Sequence, residues 1–208
     1  MNEKCTIFVG GEPVGFKTLD MDHIVHSRVY GADKGYYLAQ KLGISCDVVI
    51  GDFDSSKKPD RDDVILHPVE KDDTDLMLAI KHAFENGASD FQIYGAMGAR
   101  ADHLFGNIQA LAYIVSHGGT AVMIGDKDRA MLLPAGKYHL PKRKGYSLSL
   151  FSYSEQVGHL FVDGTKYPAA DITLTQSFPL AMSNHIESDN GADIAFSSGL
   201  LLVIESER

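Results

Sequence analysis

The residues with the most chemical promise are carboxylates that stand just after apolar runs. Val48-Val49-Ile50 leads into Gly51-Asp52-Phe53-Asp54-Ser55, two acids separated by one residue at the end of a buried-looking strand. Loops at the carboxyl ends of parallel strands carry chemistry, and this spacing lets a bent loop aim both carboxylates at one hard divalent cation. The pattern recurs. The run Ile24 to Gly31 leads to Ala32-Asp33-Lys34-Gly35, and Val64-Ile65-Leu66-His67 leads to Glu70-Lys71-Asp72-Asp73-Thr74-Asp75. Phe91 to Tyr94 leads to Gly95 through Arg100-Ala101-Asp102-His103, and Thr120 to Ile124 leads to Gly125-Asp126-Lys127-Asp128. A parallel sheet would set all of these acids on one rim.

Each acid also has a plainer reading. Asp72 or Asp73 would serve as a helix N-cap, Asp75 as a first-turn acid and Asp102 as a cap. His103 lacks a partner histidine at ligand spacing and reads as a local hydrogen-bonding residue. Arg100, between glycine and acid, is the cation that stands out from the loop lysines. A rim so rich in carboxylates repels a polyphosphate, by about 4 kcal/mol for two unit charges 4 Å apart at an effective dielectric near 20. A bridging divalent ion reverses that sign, and magnesium suits oxygen-only ligands. Metal-assisted phosphoryl or pyrophosphoryl transfer is the leading class; phosphoester hydrolysis uses similar parts and stays open. The chain lacks both a phosphate-loop lysine motif and a dinucleotide fingerprint.

The elements that must hold these residues are legible too. Cys5 to Val9 reads as a first strand closed by Gly10-Gly11. Lys34 to Leu42, Asp73 to Asn86 and Asp102 to His117 have helical spacing, with stops at Gly43, Gly87 and Gly118-Gly119. Strands alternating with helices predict a doubly wound, mostly parallel α/β domain over residues 1–128. From about Arg129 short alternating strands take over: 147–150, 159–162, 171–175, 193–196 and 200–205. Asp163-Gly164 and Asn190-Gly191 read as hairpin turns. Residues 129–208 are expected to form a small antiparallel β-sandwich.

Of the 208 residues, 44% are apolar and 23% charged, ordinary for a soluble globular protein. With 28 acidic residues against 19 basic ones, the composition argues against a nucleic-acid or anionic-membrane surface. No apolar run is long enough for a membrane span, and the first residues lack a signal-peptide pattern. Cys5 and Cys46 are isolated thiols, which suits a reducing cytoplasm.

With these motifs in view, the chain resembles the thiamine pyrophosphokinase family over nearly its whole length. The resemblance rests on Ala32-Asp33-Lys34-Gly35, Gly51-Asp52-Phe53-Asp54-Ser55, Asp72-Asp73-Thr74-Asp75, Gly95 through His103 with Asn107, and Ser183-Asn184. It implies an α/β nucleotide-binding domain that binds ATP, a β-sandwich domain that binds thiamine, and a homodimer. The implied reaction moves the pyrophosphoryl group of ATP to the thiamine hydroxyl, giving thiamine diphosphate and AMP. The likeness assigns Mg2+ to Asp33, Asp52, Asp54 and Asp75. It sets Asp102 against thiamine, and Arg100 with Asp72, Asp73 and Thr74 near ATP. Ser183 and Asn184 would hold thiamine from the partner subunit. Lys34 and Ala99 replace glycines common in the family, and the absence of Trp leaves any ring stacking on thiamine to another residue. The alternatives are a pyrophosphokinase for another heterocyclic alcohol such as a pterin, and a non-catalytic nucleotide or thiamine sensor.

Overall fold

The computed structural model describes residues 3–53, 57–66, 73–98 and 100–208. It divides into two compact units, Met1–Asp126 and Lys127–Arg208.

In unit 1, the strands β1 (Glu3–Phe8), β2 (Ser27–Ala32), β3 (Val48–Gly51), β4 (Val64–Leu66), β5 (Ala88–Tyr94) and β6 (Thr120–Ile124) form one parallel array. Their order is β6-β5-β1-β2-β3-β4, so the strand path reverses at β1. Helices α1 (Met21–Val25), α2 (Gly35–Lys41), α3 (Asp75–Glu85) and α4 (Ala101–Ser116) fill the connections. Successive strand residues point to opposite faces. Phe8, Val29, Val49 and Tyr94 pack with Ile24 of α1 and Ala39 of α2. On the alternate positions, Phe91 meets Phe84 of α3 with ring centroids 5.0 Å apart, and Tyr30 meets His82 at 5.7 Å.

Helix α3 shows how sequence sets these elements. The Thr74 hydroxyl accepts from Met77 N at 3.2 Å and caps the first turn. Leu76, Ala79, Ile80 and Ala83, all buried, make one apolar face. Gly87, at φ 90°, ends the helix in a conformation that favours glycine.

Gly35 opens α2 where no side chain fits: a Cβ there would lie 1.8 Å from the Phe8 carbonyl oxygen and 2.6 Å from Val9 N. An exposed helical Gly→Ala change normally stabilises by about 1 kcal/mol. Here Gly35→Ala should instead destabilise by about 3 kcal/mol or more and lower the melting temperature by roughly 10 °C. An unchanged melting curve would show that the end of β1 yields to α2.

Unit 2 consists of β7 (Asp128–Leu140), β8 (Tyr146–Ser152), β9 (Gln156–Asp163), β10 (Ala169–Thr175), β11 (Ala181–Asn184) and β12 (Ala192–Glu207), all in antiparallel pairs. Strand β12 is the hub. Its first half pairs with β9 and β7, and its second half with β8 and β7. The register shifts between Phe196 and Leu200, where Gly199 takes φ 89°. Leu148, Leu150, Val157, Leu160, Leu174, Ile194, Leu201 and Val203 fill the core.

Several boundaries differ from the expectation. Ile24 and Val25 lie in α1, and β2 begins only at Ser27, because Asp20 caps a helical turn by accepting from His23 N at 3.1 Å. The runs 193–196 and 200–205 belong to one bent strand, since a glycine bulge turns the chain without ending its pairing with β7. Asn190-Gly191 closes no hairpin: β11 before it pairs with β8, not β12. Strand β7 has no counterpart in the expected elements because Pro134 and Gly136 break its alternation.

Candidate active site

Parallel pairing fixes which end of unit 1 carries the acids. Helix α3 ends at Glu85 and β5 starts at Ala88, so the end of α3 adjoins the amino edge of the sheet and its beginning the carboxyl edge. Eleven residues at 1.5 Å each span about the length of a strand. The same reasoning holds for α4, between β5 and β6. Asp33 after β2, Asp52 after β3, Asp73 to Asp75 at the start of α3, and Arg100 to Asp102 at the start of α4 therefore share one rim. Asp54 and Asp72 lie outside the described residues, as does Ala99.

The rim is close-built. Asp33 N donates to the Ile50 carbonyl at 2.9 Å, and a Cβ on Gly51 would lie 3.1 Å from Asp33 N. The missing side chain lets the end of β3 approach Asp33 and brings the Asp52 backbone alongside. Asp33 (φ 46°) and Phe53 (φ 54°) are both left-handed, a conformation that is costly for a buried Phe and concentrates at functional sites. Gly11 and Gly95 meet where β1 and β5 end, since a Cβ on Gly11 would lie 2.2 Å from the Gly95 carbonyl. Asn107 Nδ2 donates to the Ala96 carbonyl at 2.8 Å and ties that loop to α4.

The individual groups differ in what they are free to do. Thr74 spends its hydroxyl as the α3 cap, and Asp73 receives Lys81 Nζ at 2.6 and 2.7 Å. Arg100 grips Asp102 in a two-pronged pair at 2.6 and 3.1 Å, both side chains mostly exposed. That guanidinium, with His103 N at 2.9 Å, holds the Asp102 carboxyl below the usual range. Asp102 is thus anionic and a poor proton acceptor while paired. Asp126, at the end of β6, accepts from Gly15 N at 2.8 Å and from the Thr18 hydroxyl, which fixes the loop after β1.

Among the described residues no three or more His, Cys, Asp or Glu side chains converge as a metal-holding group. The donor set of Asp33, Asp52 and Asp75 is nevertheless all oxygen, which fits magnesium, and the Gly51 contact brings two of the three backbones together.

In unit 2, Ser183 and Asn184 prove unlike one another. Asn184 is buried and uses its whole amide internally: Nδ2 donates to Thr165 Oγ1 at 3.1 Å and to the Tyr167 carbonyl at 2.8 Å, while Oδ1 accepts from Tyr167 N at 3.1 Å and His185 N at 2.9 Å. Ser183 is exposed and left-handed (φ 55°), its N–H held by Ser149 Oγ at 3.0 Å. The segments 164–167 and 184–187 are further joined by Lys166 N to the His185 carbonyl at 3.0 Å and Glu187 N to the Gly164 carbonyl at 2.9 Å. The result is a Tyr167 ring 63% exposed on a rigid backbone. Sequence reasoning missed Tyr167. An aromatic residue before proline, held extended in a polar loop, was the available signal.

The first unit is thus an α/β layer with acids on its carboxyl rim, and the antiparallel unit after it presents an aromatic ring and a hydroxyl. The comparisons narrow this. The family model described as thiamin pyrophosphokinase, catalytic domain, matches residues 24–124, and that described as thiamin pyrophosphokinase, vitamin B1 binding domain, matches residues 137–201. A thiamine pyrophosphokinase of Bacillus subtilis is 34% identical over 190 residues, covering 87% of this chain and 88% of the relative. The chain belongs to the thiamine pyrophosphokinase family. The crystal structure of the thiamine pyrophosphokinase from Bacillus subtilis superposes with a TM-score of 0.86 at 28% identity, covering 98% of this chain and 99% of that one. The thiamin pyrophosphokinase from Geobacillus thermodenitrificans gives 0.82 at 26% identity, covering 98% and 97%.

Proposed function

We propose that this chain transfers the pyrophosphoryl group of ATP to the hydroxyl of thiamine, giving thiamine diphosphate and AMP. The observation that carries this reading is the order of the two matches: the acidic rim falls within the catalytic-domain match, and Ser183 with Tyr167 within the vitamin B1 match. Nothing favours a pterin substrate or a sensor. The parallel order reversing at β1, with helices against both faces, supports a doubly wound nucleotide-binding domain at residues 1–128. The split course of β12 supports a sandwich for thiamine at 129–208.

Asp33, Asp52, Asp54 and Asp75 would hold Mg2+, which when bound supplies positive charge against the triphosphate. Asp72, Asp73 and Thr74 would serve the ATP side with Arg100. Asp102, kept anionic by Arg100, is suited to attract the positively charged thiazolium of thiamine and steer its hydroxyl, not to take the proton. Tyr167 offers a flat face for a heteroaromatic ring, Ser183 a hydroxyl, and Asn184 the clamp that sets both. Positioning carries much of the acceleration expected of such a site. A homodimer is supported by Phe178, Leu180 and Met182, at 63%, 55% and 52% exposure beside Ser183. Two free, buried cysteines suit the cytoplasm.

Incubation with ATP, magnesium and thiamine tests the reading. AMP and thiamine diphosphate should accumulate in equal amounts, and a chelator should stop both. ADP with thiamine monophosphate would overturn it.

A further inference from the structure

The turn between β7 and β8 gathers charge opposite in sign to the chain's net charge. In a protein of net charge −9, Lys142-Arg143-Lys144 and Arg208 line a cleft of about 480 Å³ in unit 2. His185 and Glu187 also line it, so four basic side chains face a single acidic one. A basic run on a turn is usually just solvated. This one differs because it is concave and its parts are fixed from several directions. Lys142 Nζ donates to the Glu187 carbonyl and to Asp189 Oδ1, both at 2.7 Å, tying the basic turn to the segment after His185. The Arg143 guanidinium lies 5.0 Å from the centroid of the Tyr146 ring. Arg208 N donates to the Gly145 carbonyl at 2.9 Å and holds the end of β12 beside the turn.

These ties divide the labour. Lys142 is committed to Asp189, whose carboxyl it keeps below the usual range and therefore anionic. Glu205, buried nearby, has its carboxyl pushed upward by burial, with the Arg143 and Arg129 charges acting against that rise. Arg143, Lys144 and Arg208 line the concavity with charge of one sign, an arrangement that focuses an attractive field on anions. Guanidinium and ammonium groups together suit phosphate oxygens. The volume exceeds what a bare diphosphate fills and leaves room for an organic group.

We propose that this cleft binds the phosphate or diphosphate end of a phosphorylated small molecule through Arg143, Lys144 and Arg208. The site lies wholly in unit 2, uses no metal and does not depend on the proposed activity. Two sources share that chemistry: the enzyme's own diphosphate product and unrelated cellular phosphates.

Titration of the full chain with inorganic pyrophosphate in excess chelator tests it, because metal-dependent binding at the acidic rim is then absent and the assay contains neither ATP nor thiamine. Saturable one-to-one binding that weakens with salt is expected. The double variant K144Q/R208Q, which changes two exposed side chains, should lose about tenfold or more in affinity with an unchanged melting curve and unchanged turnover. Arg143→Gln should weaken binding further; if it fails to fold through loss of the Tyr146 contact, the double variant decides alone. Thiamine diphosphate and AMP, titrated in parallel against wild type and double variant, distinguish the product from a general phosphate ester. No saturable binding, equal binding of sulfate, or affinity unmoved in the double variant would overturn the proposal.

Discussion

Asp52→Asn is expected to lower turnover roughly 100-fold or more, equivalent to about 3 kcal/mol in the barrier, while the melting temperature moves by no more than about 2 °C. The substitution keeps size and shape and removes one anionic oxygen. Asp52 follows Gly51, where a Cβ would lie 3.1 Å from Asp33 N, so the absent side chain lets the two backbones come close. An amide is a weaker ligand for a hard cation and leaves more of the phosphate charge unbalanced. Raising magnesium should recover part of the loss, because in the proposed role the deficit is in ion affinity. Steady-state rates across a magnesium series, beside a thermal melt, check this. Near-normal turnover with a normal melt would remove Asp52 from the metal site.

Asn184→Ala is expected to act on substrate and on stability together. The amide makes four hydrogen bonds in a buried position, and its loss strands the Tyr167 and His185 N–H groups among others. Unsatisfied buried groups of this kind destabilise by about 2–4 kcal/mol in sum, a fall of roughly 5–10 °C. The Tyr167 backbone would lose its clamp, so KM for thiamine should rise about tenfold while KM for ATP stays within about twofold. Asn184→Asp keeps the acceptor and loses the donor, and should fall between the two. A lower melting temperature with both KM values unchanged would leave Asn184 a purely structural residue.

Much of unit 1 was legible in the sequence because its signals are local. Helix α3 carries its cap, its apolar stripe and its terminal glycine within residues 74–87. The acids were legible because a parallel sheet gathers the ends of its strands, so position in the chain implies position on the rim. Unit 2 was less open. Strand β12 pairs with three partners across a bulge, and no local pattern announces that one strand serves two halves of a sheet. The clamp on Tyr167 was hidden for the same reason: Asn184 lies 17 residues away, and its role exists only once the two segments meet. The basic cleft also needed the fold, since Arg208 joins residues 142–144 only through the return of β12.

The hub position of β12 sets an order for synthesis. A chain leaving the ribosome makes β7, β8 and β9 first, yet each of them pairs with a strand that begins at Ala192. About 50 residues separate the end of β7 from the start of β12, so the β7 edge stays unpaired for roughly 3–10 s at ordinary elongation rates, and those of β8 and β9 for less. Unit 1 closes sooner, when β5 reaches β1 and β6 then adds to β5. Nascent chains stalled before β12 should therefore carry a folded first unit and an aggregation-prone second one, and chaperone demand should concentrate on the interval before β12 emerges.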